Sequence, residues 1–183
     1  MTEALTIQVP DLKKLAEIQA VLDKTIATKQ NIQEDVTNRL VVAFKVEFGE
    51  FLNEHKFFKF WKVNTIPNRH VVKHHAMFLE DVVYHNPLLE EFVDGVHFLL
   101  SIGNQRKYIK FIHAFDTIER KSDSLEFLAM EIFNNPINSA GIWLKVVSDY
   151  FCFGNLVGFT VEEIEQAYYE KNKVNFQRQE NGY

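Results

Sequence analysis

Two short segments mix carboxylates with large apolar side chains. "KVEFGEFLNE", residues 45–54, carries Glu47, Glu50 and Glu54, and "LEEFVDGVHFLL", residues 89–100, carries Glu91 and Asp94. Residues three or four apart share one face of a helix. In the first segment Leu40, Ala43, Glu47, Glu50 and Glu54 form such a row, and Val41, Phe44, Phe48 and Phe51 lie on the adjoining face. In the second, Pro87, Glu91, Asp94, Phe98 and Ser101 run beside Leu89, Phe92, Val96 and Leu99. Each acidic row borders a core stripe instead of opposing it. Packed together, two such helices bring Glu47, Glu50, Glu91 and Asp94 to one place. Four carboxylates in a low dielectric repel, so cations must compensate them or some must hold protons. All-oxygen ligation selects a hard ion, Mg²⁺ or Mn²⁺, whose shell phosphate oxygens commonly complete. The same spacing also occurs on solvated helix faces, as Glu162 and Glu165 illustrate, so a plain acidic surface is the alternative.

The elements that must position these rows read as helices. Leu12, Leu15, Ile18, Leu22 and Ile26 keep the three-four spacing after Pro10. The acidic-aromatic segment around Phe44 is a second helix. Val71, Val72, Phe78 and Val82 predict a third over about 68–84. Asn86 and Pro87 form a cap and first position for the next, and Gly103 reads as its stop. Asp123 with Glu126 resembles a capping box for a helix ending near "NNP", 134–136. Ile142, Val146 and Tyr150 continue a further helix into "FCFGN". Thr160 with Glu163 opens the last one, expected to reach about Lys171. Hairpin turns are not signalled. The expected fold is all-α, a bundle of about six to seven helices in a single domain over 1–183, ending in an arm at 172–183.

The 183 residues suffice for a substantial core, with 17 Phe making it aromatic. A formal charge of −5 argues against a general nucleic-acid binder. Cys152, the only cysteine, excludes an internal disulfide and a cysteine-based zinc site, and reads as a buried inert thiol. No apolar run is long enough for a membrane span, and no secretory signal is legible, so a cytoplasmic location is expected.

Glu47-x-x-Glu50 followed by Glu91-x-x-Asp94 resembles the signature of the all-α nucleoside triphosphate pyrophosphatases. "EFGEFLNE", "FKFWK", "LEEFVDGVHFLLSIG" and "AYYEKNKVNFQRQENGY" are similar to the dimeric dUTPase branch, found in many phages, some bacteria and trypanosomatids. The resemblance implies a homodimer that hydrolyses dUTP, and dUDP, to dUMP. It implies Mg²⁺ (Mn²⁺ possible) held by Glu47, Glu50, Glu91 and Asp94, with Glu47 or Glu50 orienting or deprotonating a water. Family analogy favours attack at the β-phosphorus.

The resemblance also implies substrate contacts. His97, one turn after Asp94, approaches the nucleoside. Trp61 walls the uracil pocket and Gln19 reads the uracil edge, with Asp23 a weaker candidate one turn on. Asn53 is a sugar or supporting contact. Lys171 and Arg178 take phosphate and Asn175 the sugar. One departure stands out: Glu50 and Glu91 are 41 positions apart, longer than the family's usual gap. The extra length is expected to form a helical insert near 62–87. His70 and His74 within it have the spacing of a metal pair, but without a third ligand they are read as surface residues. Other readings are a house-cleaning or dCTP-type pyrophosphatase, or a non-catalytic helical interaction protein.

Overall fold

The computed structural model describes residues 4–74, 83–112, 117–121 and 124–182. Strand β1 (Ala4–Gln8) precedes helix α1 (Leu12–Lys29), whose first turn is capped by Asp11 accepting from the Lys14 N–H. Helix α2 (Thr37–His55) ends where Lys56 turns into the left-handed region, at φ 68°. Strands β2 (Val71–His74) and β3 (Val83–His85) follow, then α3 (Pro87–Gln105). A 3-10 turn at Ile109–Phe111 leads to β4 (Thr117–Lys121). Helices α4 (Leu125–Asn134), α5 (Ala140–Leu156) and α6 (Val161–Glu180) complete the described chain. The fold is an all-α bundle, as expected. No described helix is long and apolar enough to cross a membrane.

Local chemistry explains most boundaries. Asn86 Oδ1 accepts from the Leu89 N–H at 3.1 Å and Pro87 opens α3, as the sequence predicts. Thr160 and Glu163 form the expected reciprocal capping box of α6. Helices α2, α3 and α5 together build an aromatic core. Phe44, Phe48 and Phe51 of α2, Phe92 of α3 and Trp143, Tyr150 and Phe153 of α5 are fully buried within it. Cys152 is buried there too.

Four expectations about the elements are corrected. The helix over 68–84 is absent where the chain is described: Val71–His74 pairs antiparallel with Val83–His85, and residues 75–82 lie outside the described part. Val71, Val72 and Val83 are β-branched and favour the pleated chain, which outweighs a loose helical spacing. The insert near 62–87 is therefore not helical where described. The second strand pair, β1 with β4, joins segments far apart in sequence, so no turn residue announces it. Helix α4 is capped by Ser124, which accepts from the Phe127 N–H, while Asp123 lies outside the described residues. Gly103 sits inside α3 rather than ending it. A Cβ there would meet the Trp143 ring at 2.4 Å, so the residue serves packing. Finally, the arm from 172 is a continuation of α6 up to Glu180, because "KVNFQRQE" has no Gly or Pro to break it.

Candidate active site

Helix α2 buries Phe44, Phe48 and Phe51, which leaves the next row round the helix, Glu47 and Glu50, at the edge of the core. Helix α3 packs along α2 and buries Phe92, Val93 and Val96, so Glu91 and Asp94 occupy the matching edge. The carboxylates of Glu47, Glu50 and Glu91 converge: each offers an oxygen within 4.8 Å of the other two. Asp94 adjoins this trio without belonging to it. Its Oδ2 accepts from Lys171 Nζ of α6 at 2.5 Å. Glu54, although on the same row, turns away and accepts from Asn68 Nδ2 at 2.6 Å.

The electrostatics bear the mark of crowding. Burial, then the charges of Asp94, Glu47 and Glu50, push the Glu91 carboxyl up to about 7. Glu47 is raised by burial and by Asp94 and Glu50. Asp94 is raised by burial, against the opposing pull of the Lys171 ammonium. A site that holds negative charge this reluctantly accepts a cation readily. Three carboxylates that each bring an oxygen within 4.8 Å of the others form an all-oxygen donor set, the kind that suits a hard divalent ion.

Beside this cluster a cavity of about 660 Å³ opens between α1, α2, α3 and α6. Glu47, Asp94 and Lys171 lie on its wall, with Asn175 and Arg178 further along α6. Its apolar wall includes Leu22, Ile26, Leu40 and Phe98. Gln19, Asp23, His97 and Ser101 supply a polar patch. The patch is tightly bonded. Gln19 Nε2 donates to Asp23 Oδ1 at 2.8 Å and to Ser101 Oγ at 3.0 Å. Its Oε1 accepts from Tyr168 OH at 2.9 Å and lies 2.7 Å from His97 Nδ1. An amide oxygen only accepts, so Nδ1 carries the His97 proton in this arrangement. Burial holds His97 down to about 3, which keeps the ring neutral. The ring stacks on Tyr168 with centroids 4.1 Å apart.

The structure thus gathers Gln19, Asp23, Glu47, Asp94, His97, Lys171, Asn175 and Arg178 around one cavity, with Glu50 and Glu91 at its acidic end. Both donors of the Gln19 amide are engaged within the protein, so base reading by this group would require it to exchange a partner. Two residues expected to contact the substrate lie away from this cavity. Asn53 is exposed on the outer face of α2, and Trp61 is 62% exposed. Past Lys56 the Trp61 ring meets the rings of Phe58 and Phe60, with centroids 5.9 and 5.1 Å away. Neither residue lines the cavity. Sequence reasoning missed Tyr168 as a member of the patch. Ser101 was visible only as the continuation of the Glu91–Asp94 row. His70 is exposed and joins no cluster among the described residues.

A family model described as dUTPase matches residues 11–77 and 80–183. The chain belongs to the dUTPase family. No curated protein matches it closely enough to stand as a relative. As a dUTPase it is a dUTP diphosphatase, an enzyme that takes a nucleotide substrate. The matched segments of this dUTPase contain both carboxylate pairs and every helix that borders the cavity.

Proposed function

We propose that this dUTPase hydrolyses dUTP, and also dUDP, to dUMP in a Mg²⁺-dependent reaction, with Mn²⁺ as a possible substitute. Glu47, Glu50, Glu91 and Asp94 would hold the metal. The observation that carries this reading is the convergence of Glu47, Glu50 and Glu91 to within 4.8 Å beside a nucleotide-sized cavity. When bound, the cation supplies neutralisation of phosphate oxygens and acidifies water. The protein's own groups do the rest. Glu47, on the cavity wall, orients the attacking water and takes its proton, and its raised affinity for protons suits that role. Lys171 and Arg178 bind the phosphate chain from α6, and Asn175 meets the sugar. The apolar wall and the bonded patch of Gln19, His97 and Tyr168 hold the nucleoside end and keep water from it.

The expected products of dUTP are dUMP and pyrophosphate. A homodimer is the proposed working form. It is supported by the resemblance and by exposed apolar side chains on the outer face of α4 (Phe127, Met130). A cytoplasmic location is proposed from the sequence alone. The test is hydrolysis of dUTP, dUDP, dCTP, dTTP and UTP by purified protein with and without Mg²⁺. Cleavage of dUTP and dUDP that vanishes in chelator and in Glu50→Gln is expected. Equal cleavage of dCTP would transfer the activity to the dCTP-type enzymes, and full activity of Glu50→Gln would end the metal-site assignment.

A further inference from the structure

Tyr150 lies on α5, outside the cavity lining, yet it touches both helices that carry the carboxylates. It is fully buried. Its ring lies flat on Phe92 of α3, with centroids 4.5 Å apart and planes within 8°. It meets Phe44 and Phe48 of α2 edge-on at 5.4 and 5.8 Å. These residues flank the site carboxylates directly: Phe48 follows Glu47, and Phe92 follows Glu91. The phenol donates to the Phe92 carbonyl at 2.8 Å, a carbonyl inside α3 that helical geometry already engages. That approach requires Gly95. A Cβ at this position would stand 2.1 Å from the Tyr150 oxygen and 2.7 Å from its ring carbon. Glycine inside a helix costs ~1 kcal/mol relative to alanine, so its place between Asp94 and Val96 calls for a reason. Contact with the phenol is that reason. Burial and the charges of Asp94, Glu47 and Glu91 hold the phenolic proton in place, so the group remains a donor.

We infer that Tyr150 and Gly95 form a positioning pair that fixes the register of α3 against α2, and through it the geometry of the carboxylate cage. Tyr150 is a positioning residue; it reaches no substrate. The inference rests on the metal reading of that cage. Mg²⁺ demands near-ideal octahedral geometry, whereas Ca²⁺ tolerates irregular shells. A loosened register therefore penalises Mg²⁺ more than Ca²⁺. This shift in ion preference is an outcome that simple loss of stability would not produce.

Calorimetric titration of Mg²⁺ and Ca²⁺ into wild type, Tyr150→Phe, Gly95→Ala and the double variant tests the pair. Tyr150→Phe keeps the ring and is expected to fold with an unchanged circular dichroism spectrum. Its Mg²⁺ affinity should fall about tenfold, in the range seen when groups supporting metal ligands are removed, with a smaller loss for Ca²⁺. Gly95→Ala should weaken Mg²⁺ in the wild-type background and less in Tyr150→Phe, where the 2.1 Å clash with the oxygen is gone and only the 2.7 Å approach to the ring carbon remains. Wild-type Mg²⁺ affinity in Tyr150→Phe overturns the inference, as do equal losses for both ions or additive effects of the two substitutions. If the wild type itself takes up no Mg²⁺, the metal-site reading fails first, and the inference with it.

Discussion

Glu91→Gln is expected to be more stable than the wild type at pH 7 in the presence of chelator, and nearly inactive on dUTP. The two effects share one cause. The native Glu91 carboxyl sits at about 7 because burial and three neighbouring acids disfavour its charge, against an ordinary value of 4.5. The sign follows directly. Below the ordinary value both folded and unfolded chains hold the proton, and Glu91 costs nothing. As pH rises from 4.5 to about 7 the unfolded chain releases the proton first. Native stability is therefore lost across that window and levels off above it. Glutamine does not titrate and escapes the loss. Glu91 is half-buried, so solvent screening reduces the effect to about 1–2 kcal/mol, or about 2–8 °C in Tm. Excess Mg²⁺ should reverse the order, because a ligand at a hundredfold its Kd stabilises by about 2.7 kcal/mol and the variant has lost a donor. Hydrolysis should fall by at least about a hundredfold. Thermal unfolding from pH 4.5 to 8, in chelator and in Mg²⁺, reads the stability arm, and product release from dUTP the other. Superimposed unfolding curves in chelator would mean that the acids do not crowd Glu91 as described.

The rows of carboxylates were legible because two local rules place them. Helical spacing sets Glu47 with Glu50 and Glu91 with Asp94, and the neighbouring aromatic stripe fixes which way the helix turns. The start of α3 was legible for a similar reason, since a cap is a contact between residues three apart. What escaped depends on distant partners. Gly103 reads as a stop until Trp143, forty residues on, is seen against it. Val71 and Val72 fit a helix until Tyr84 and His85 pair with them. The polar patch joins Gln19 of α1, His97 and Ser101 of α3 and Tyr168 of α6, and no spacing in the chain connects these three helices. Asp94 belonged to the acidic row, but its ion pair with Lys171 is visible only once α6 crosses α3. Trp61 shows the opposite limit. An aromatic in a recognisable block was expected to wall the cavity, and it lies exposed outside that lining instead.

Phe48→Ala carries the largest expected stability effect, and its consequences reach the site. The side chain is fully buried, with the rings of Phe44, Phe51, Phe133, Tyr150 and Phe153 at 4.9 to 6.3 Å. Truncating a buried phenylalanine to alanine costs about 3–5 kcal/mol, lost transfer energy plus the cavity left behind. That is a large share of the about 5–15 kcal/mol by which a domain of this kind is stable. Relaxation into the void would draw α2 towards α5 and move Glu47, the preceding residue, relative to Glu91. Mg²⁺ affinity should therefore fall in the fraction that remains folded. Val46→Ala is the matched control, since Val46 is 51% exposed, and such surface changes usually stay within about 0.5 kcal/mol. Three consecutive residues thus divide the labour of α2: Val46 faces outward, Glu47 faces the site and Phe48 fixes the helix. Urea unfolding of both variants, with calorimetric Mg²⁺ titration of the folded protein, separates these roles. Equal midpoints for Phe48→Ala and Val46→Ala would refute the aromatic core as the anchor of the carboxylates.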